Sequence, residues 1–258
     1  MFWGAQKPWI GKRVDWSNSI SPGLVAYYLM NEGSGDVFDL TNNNLSGSFI
    51  NSPSWAAGPN GSVVSFDGSN DRIDVSFFPN LDELSIVAWV KRGSGSGVRE
   101  YIANLELAGI SQHILWFNGV NDLNITITSN GTVTAASSPV AGGDWFQVGF
   151  TVSSSTTTLY LNGRSTGTPD TTFTKTAFDS LHLGGRTSDN ARNLEGLIDH
   201  ILIWDRALTA DEVFKMYLNR YFLVKGPFSE LTSYFAPAVV TDTVFVARRR
   251  RMDNGYFL

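Results

Sequence analysis

The sequence predicts an all-β protein, a two-sheet antiparallel sandwich of jelly-roll topology with one short helix toward its C-terminal side and extended terminal arms. Three observations predict it. Short apolar runs rich in Val, Ile, Phe, Tyr and Trp recur, separated by Gly, Asn, Ser and Asp, the alternation of strands with turns. Only the stretch from Thr209 to Arg220 carries convincing helix signals. A chain of 258 residues can bury one large core, and β sandwiches of this size commonly form a single domain.

Taken in order, strands are expected at Ser62 to Phe66, Leu84 to Val90, Asn124 to Thr128, Trp145 to Val152 and Leu181 to Gly184. The next apolar run begins at Glu195. Ile198, His200 and Leu202 alternate there with Leu197, Asp199, Ile201 and Ile203, and nearly every position is apolar. Both faces of that strand are therefore expected to be covered. Thr209 and Glu212 follow at the spacing of a capping box, in which each side chain satisfies the other residue's backbone amide. Leu208 and Val213 can close a hydrophobic staple, so the helix is expected to start at Ala210 and run to about Arg220.

The two ends read differently from the middle. Residues 1–21 hold Trp3, Trp9 and Trp16 with Phe2 and Ile10, without helical or strand periodicity. Residues 222–258 begin with a Pro-punctuated aromatic stretch, and Val239 to Val246 alternates enough to be one more strand. Free tails rarely expose this much apolar surface to water. Either the ends wrap their own sandwich, or they are arms that dock on neighbouring subunits by adding a strand to another sheet. The reading taken forward is an N-terminal aromatic arm over 1–21, a sandwich over 22–221 and a C-terminal extension or arm over 222–258. Trp3, Trp9, Trp16, Phe235, Phe245 and the run Arg248, Arg249, Arg250 and Arg251 are its assembly contacts.

Composition narrows the function classes. There is no cysteine, which removes disulfides and thiolate metal sites. No apolar run approaches the roughly 18 to 20 residues that span a bilayer, so membrane insertion is not expected. The first nine residues lack the basic start and continuous apolar core of a secretion signal. The net charge is −5, with the arginine run giving the last 34 residues a local excess of positive charge. An acidic body argues against a nucleic-acid groove.

Five segments resemble, in the right order, laminin-G-like domains of the concanavalin A-like lectin/glucanase superfamily. Gly196-Leu-Ile-Asp-His-Ile-Leu-Ile-Trp-Asp-Arg-Ala-Leu-Thr209 is similar to the closing motif of such domains. Gly23-Leu-Val-Ala-Tyr-Tyr-Leu-Met-Asn-Glu-Gly-Ser-Gly35 resembles the opening strand and turn, and Val64-Ser-Phe-Asp-Gly-Ser-Asn-Asp-Arg-Ile-Asp-Val75 the central hairpin. Leu84 to Val90 and Thr158 to Gly163 resemble two inner strands. Together they span roughly residues 22–221. The resemblance implies a concanavalin A-like jelly roll and leaves function open, because the architecture hosts lectins, glycanases, adhesins and structural modules.

The chemistry that the resemblance raises can be tested residue by residue. Glycanases of this fold place carboxylates two apart on one strand, which gives a retaining pair its separation of about 5 Å. No such run occurs here. The nearest pairs are Asp82 with Glu83, which would point to opposite faces, and Glu195 with Asp199, four apart. His113, His182 and His200 are scattered and fit no metal spacing, so enzymatic activity is not expected. The resemblance implies a structural calcium, and the positions matching the family motifs are Asp39, Asp67 and Asp199. Hard cations prefer such carboxylate and backbone oxygens, although Asp in a turn also simply accepts local amides. For a sugar, the loop of Trp116, Asn118, Asn121 and Asp122 combines an aromatic face with polar side chains. A similar mixture lies in Gly184 to Asn190. Trp89, Trp145 and Trp204 read as core, whereas Trp116 and Trp55 read as exposed.

Two functional classes follow. One is a non-catalytic structural module displayed on a virus particle, a phage surface or decoration protein held to other virion proteins or to copies of itself by its arms. The missing export signal, the apolar ends and a likeness to phage-encoded copies of the domain favour it, and the expected location is the virion or an extracellular surface. The other is a glycan-binding adhesin that contacts host polysaccharide through its loops.

Overall fold

The computed structural model describes residues 7, 12–94, 99–117, 122–127, 132–139, 142–154, 156–171, 176–187 and 192–225. Its strands are β1 (Arg13–Val14), β2 (Leu24–Tyr28), β3 (Ser48–Ile50), β4 (Ser54–Ala57), β5 (Ser62–Asp67) and β6 (Arg72–Val75). The middle of the chain gives β7 (Leu84–Arg92), β8 (Glu100–Leu107), β9 (Ile110–Phe117), β10 (Asp122–Ile127) and β11 (Thr132–Pro139). Then come β12 (Trp145–Val152), β13 (Thr157–Leu161), β14 (Arg164–Asp170), β15 (Ser180–Leu183) and β16 (Glu195–Trp204). Helix α1 (Ala210–Leu218) and β17 (Val224–Lys225) close the described chain.

Two antiparallel sheets face each other, as expected of the sandwich. One has the order β11-β10-β9-β8-β15-β6-β3, and the other β14-β13-β12-β7-β16-β5-β4, with β2 also paired to β16. The main core fills the space between them. Ile86, Ala88 and Val90 of β7, Phe150 of β12 and Ile198, Ile201 and Ile203 of β16 meet Ile73, Ile102, Leu105, Leu115, Phe117, Leu181 and Leu183 of the opposite sheet. The alternation is the period-two pattern of a strand with one face in the core. It breaks once in β16, where a bulge between Ile198 and His200 in the pairing with β7 makes the next inward residue Ile201 rather than His200. A bulge re-aims side chains at the cost of one unpaired residue, and here it redirects Asp199 and His200.

The outer face of the eight-stranded sheet is covered as well, which accounts for the unbroken apolarity of β16. Leu202 and Trp204 of β16, Val87 of β7 and Tyr27 of β2 pack there against Val213 and Met216 of α1, with Leu208, Tyr221 and Leu223. Each such side chain contributes about 1.5 to 3 kcal/mol by leaving water. Val14 and Ile20, from the segment read as an N-terminal arm, are buried in the same layer. Arg13 pairs with Lys225 and Val14 with Val224, so residues 12–21 and 222–225 lie on the sandwich itself.

The helix begins where the capping box places it. Thr209 Oγ1 accepts from the Glu212 amide at 3.3 Å, and Glu212 Oε2 accepts from the Thr209 amide at 2.8 Å. Such a cap stabilises by about 1 kcal/mol. The helix ends at Leu218, two residues short of expectation, because Asn219 is extended at φ −138° and ψ 96°. Arg220 is thereby released to place its guanidinium 3.5 Å from the Trp89 ring centroid. Trp89 and Trp204 are buried as expected, but Trp145, expected in the core, is only half-buried at the start of β12. The expected strand at Val239 to Val246 lies outside the described residues.

Candidate functional site

The residues picked out by sequence do not converge on one site. Trp116, expected to be exposed, is buried at 5 % exposure, with the Arg99 guanidinium 4.5 Å from its ring centroid. Asn118 and Asn121 lie outside the described residues, as does the side chain of Asp122, whose backbone opens β10. Of the assembly contacts, Trp16 is 49 % exposed. Trp3, Trp9, Phe235, Phe245 and Arg248 to Arg251 lie outside the described residues.

The three acidic residues matched to a calcium site are separately engaged. Asp39 is a turn residue that accepts from the amides of Tyr27, Thr41 and Leu45 at 3.0, 2.9 and 3.2 Å and from the Thr41 hydroxyl at 2.6 Å. Asp67 accepts the Ser69 amide at 2.8 Å in the turn before β6. Asp199 faces the ammonium of Lys7. These residues do not fit a shared cation, and among the described residues no three His, Cys, Asp or Glu side chains are grouped to hold a metal ion.

Lys7 was not singled out by the sequence, yet it organises the most distinctive polar site. Its Nζ donates to the carbonyls of Met30, Ser62 and Asp199 at 3.2, 2.6 and 2.7 Å and lies 2.9 Å from Asp199 Oδ1, with both side chains fully buried. An ammonium so placed takes four oxygens from the turn after β2, the start of β5 and the bulge of β16. The other carboxylate oxygen of Asp199 lies 2.6 Å from His200 Nδ1 and accepts the Tyr221 hydroxyl at 2.8 Å. Burial pushes the Asp199 carboxyl up, but the hydrogen bond from His200 and the charge of Lys7 outweigh it and hold the group at about 2. Burial lowers the Lys7 ammonium against the opposing pull of Asp199 and Glu32, and lowers His200 against Asp199.

Above this ion pair lies an open groove of about 630 Å³, lined among others by Lys7, Asn31, Trp55, Asn60, Gly61 and Ser62. Trp55, expected to be exposed, stands on β4, an edge strand, and is half-buried. Its ring stacks on Phe49 at 5.7 Å and 28°, and its indole N–H donates to the Gly35 carbonyl at 2.9 Å. The rim is held by Asn31 Oδ1, which accepts the Ser62 amide at 2.9 Å, and by the Lys7 amide on the Asn60 carbonyl at 2.9 Å. Gly61 adopts φ +151°, and a Cβ there would lie 2.8 Å from Asn31 Oδ1, so the turn needs glycine. The groove thus joins a fixed indole to neutral polar side chains, the composition of small-molecule clefts.

The outer face of the seven-stranded sheet holds a second polar cluster. His182 Nδ1 lies 2.7 Å from Asp74 Oδ1, and its Nε2 lies 3.6 Å from Glu106 Oε2. Glu106 is fully buried and accepts from Asn104 Nδ2 at 2.6 Å and from the Thr187 amide at 3.2 Å, with the Thr187 hydroxyl on its other oxygen. Burial raises the Asp74 carboxyl, and the hydrogen bonds from His182 and Arg72 bring it below its ordinary value.

The family described as the concanavalin A-like lectin/glucanases superfamily matches residues 67–214. No curated protein matches the sequence. Among solved structures, domain 4 of AbnA, a GH43 extracellular arabinanase from Geobacillus stearothermophilus in complex with arabinotriose, is 21 % identical with a TM-score of 0.63. The match covers 75 % of this chain and 98 % of that domain. Trypanosoma rangeli sialidase in complex with sialic acid is 14 % identical with a TM-score of 0.61, over 80 % of this chain and 34 % of the sialidase. The binding domain of Paraclostridial Mosquitocidal Protein 1 is 17 % identical with a TM-score of 0.62, over 78 % of this chain and 52 % of that one. At these identities the likeness is one of fold. The chain spans about a third of the sialidase and half of the mosquitocidal protein's chain.

Two outcomes follow from the buried pair. Lys7→Met leaves Asp199 charged and unpaired and should lower unfolding free energy by about 3 to 5 kcal/mol, with much of the loss restored by adding Asp199→Asn; urea denaturation of the four proteins measures it. The Asp199 value lies below the ordinary 3.8. Its stabilisation is therefore complete above pH 3.8 and is lost as the pH falls toward about 2. The acid-side fall in stability across that window should be shallower in Asp199→Asn than in the parent chain.

Proposed function

The chain belongs to the concanavalin A-like lectin/glucanases superfamily, and on that premise we propose that it is a carbohydrate-recognition module that holds a glycan without cleaving it. The observation that carries this reading is the groove beside Trp55. A half-buried indole, fixed by Phe49 and Gly35, forms one wall, and Asn31, Asn60 and Ser62 are polar residues of the same lining. An aromatic wall takes the C–H face of a sugar ring while neighbouring amides and hydroxyls take its hydroxyls. The arabinotriose complex of the similarly folded arabinanase domain makes a neutral oligosaccharide the first ligand to try.

Binding rather than hydrolysis is supported by where the carboxylates are. Asp199 is taken by Lys7, His200 and Tyr221. Both oxygens of Glu195 accept from Ser94 Oγ, at 2.9 and 3.1 Å, and Glu83 accepts the Ala207 amide at 3.2 Å. Among the described residues no helix is long and apolar enough to cross a membrane.

Display on a virus particle through the terminal segments is the wider setting inferred from the sequence. Its support is the pairing of β1 with β17, which brings a segment near the start of the described chain beside its last strand, a geometry suited to attachment at one place. Removing residues 226–258 should then abolish incorporation into particles. Undiminished incorporation of the shortened chain would contradict the setting.

Affinity electrophoresis of the full chain against neutral oligosaccharides and polysaccharides, arabinotriose included, tests the central reading. Trp55→Ala should weaken binding by roughly tenfold or more, as loss of an aromatic anchor does. Trp55→Phe, which keeps an aromatic ring on Phe49, should retain most of it. Equal binding by Trp55→Ala, or release of reducing ends from a bound glycan, would overturn the proposal.

A further inference from the structure

Phe77, in the turn after β6, is 92 % exposed, and its backbone adopts φ +58°. A bulky side chain is rarely found in that left-handed region, which Gly and Asn occupy with less strain. The neighbouring residue explains the geometry but not the residue type. Phe78 turns inward and lies 6.3 Å from Phe178, centroid to centroid, in the main core, and Phe77 is carried outward. A polar residue would meet that need, and Asn would meet it with less strain. Backbone strain of this kind and exposed apolar rings both gather at sites of contact.

The register places Phe77 at the centre of a row. Val75 of β6 is opposite Leu181 of β15, and Leu181 is opposite Leu105 of β8. Leu107 and its cross-strand partner Ile110 therefore stand at the same end of the seven-stranded sheet as Phe77. On the other side Ser48 of β3 is opposite Asp74, and the adjoining Gly47 is bridged to Val37, which brings Phe38 to that end as well. Leu107, Ile110 and Phe38 are all exposed. β8 and the segment of Phe38 each lie two strands from β6, about 10 Å to either side. Residues 34–47, 76–83 and 107–110 hold no lysine or arginine, and Asp36, Asp82 and Asp179 at this end are exposed.

We propose that this sheet end is the contact between two copies of the chain, related by a two-fold axis that passes near Phe77. Such an axis sets Phe77 on Phe77 and lays Leu107 and Ile110 of one copy against Phe38 of the other, because the flanking groups stand at equal distances from the centre. An isologous contact needs that self-complementarity. Two largely exposed phenylalanines and two aliphatic side chains offer on the order of 500 Å² per copy. Facing patches then remove on the order of 1,000 Å² from water, the size that a specific interface requires. The like charges of the carboxylates oppose the approach and are screened by salt. The same carboxylates disfavour an anionic bilayer. The contact uses neither the terminal segments nor the groove of Trp55, which stands on an edge strand of the other sheet.

Sedimentation equilibrium of the full chain over a range of concentrations, at low and at high sodium chloride, tests this. The parent chain should form a dimer that tightens as salt rises. Phe77→Asn should weaken dimerisation about tenfold or more, as loss of a central aromatic anchor does. It should not lower Tm at a dilution where both proteins are monomeric, since Asn accepts the left-handed backbone. Leu218→Ser, which removes an exposed apolar side chain on α1, should leave the dimer unchanged. The chain has no cysteine, so Phe77→Cys supplies a single thiol. Under mild oxidation it should give a disulfide-linked dimer about tenfold faster than Leu218→Cys, because the bond needs closely placed Cα atoms. A chain monomeric at every concentration, dimerisation indifferent to Phe77→Asn, association weakened by salt, equal cross-linking of the two thiols, or binding of phosphatidylcholine vesicles by a chain that stays monomeric would overturn the proposal.

Discussion

The buried ammonium of Lys7 is the contact on which the Trp55 side of the sandwich is assembled. Four oxygens from three separate segments surround it, so the turn after β2, the start of β5 and the bulge of β16 are fixed relative to one another by one charge. Burying an ion pair is costly unless other contacts support it, and here His200 and Tyr221 hold the far oxygen of Asp199 while the near oxygen faces the charge of Lys7. The same lysine lines the groove beside Trp55 and donates its amide to Asn60 at the rim. Position in the fold and shape of the groove are therefore set by the same group. Removing the charge would loosen both together.

The distribution of cover over the sandwich decides which surfaces are left for binding. Helix α1 and the segments around Ile20 and Tyr221 cover one side of the eight-stranded sheet with a second apolar layer. Among the described residues, the β4 edge, where Trp55 stands, and the outer side of the seven-stranded sheet, where Arg99 and Arg186 lie over Trp116 and Tyr101, are outside that cover. These two surfaces differ in chemistry. The first has an aromatic wall with neutral amides, and the second has guanidiniums lying over buried rings.

Much of the architecture was legible because it rests on local chemistry. The period-two run of Trp145 to Val152 is β12 residue for residue, and Thr209 with Glu212 starts the helix at Ala210. The helix end was less legible, since it falls where Asn219 turns extended and lets Arg220 lie over Trp89, a contact distant in sequence. The site was legible only in part. Trp55 stood out as an aromatic residue outside the core pattern, but Asn31, Asn60 and Gly61 join it only after two turns have closed. Lys7 lies 192 residues from Asp199, and a single lysine among aromatic residues carries no signal of such a partner. Trp116 misled for the opposite reason: its own strand leaves one face open, and the cover comes from Arg99. Asp199 matched a family metal position, yet the bulge beside it and the distant lysine give it a different partner.

The most direct measurement is mapping of amide and indole chemical shifts in the full chain during titration with a neutral oligosaccharide that it binds. The account predicts that the Trp55 indole N–H, the side-chain amides of Asn31 and Asn60 and the backbone amides of Gly58, Gly61 and Ser62 move together and saturate at one affinity. Shifts centred elsewhere on the sandwich, with these signals unmoved, would contradict it.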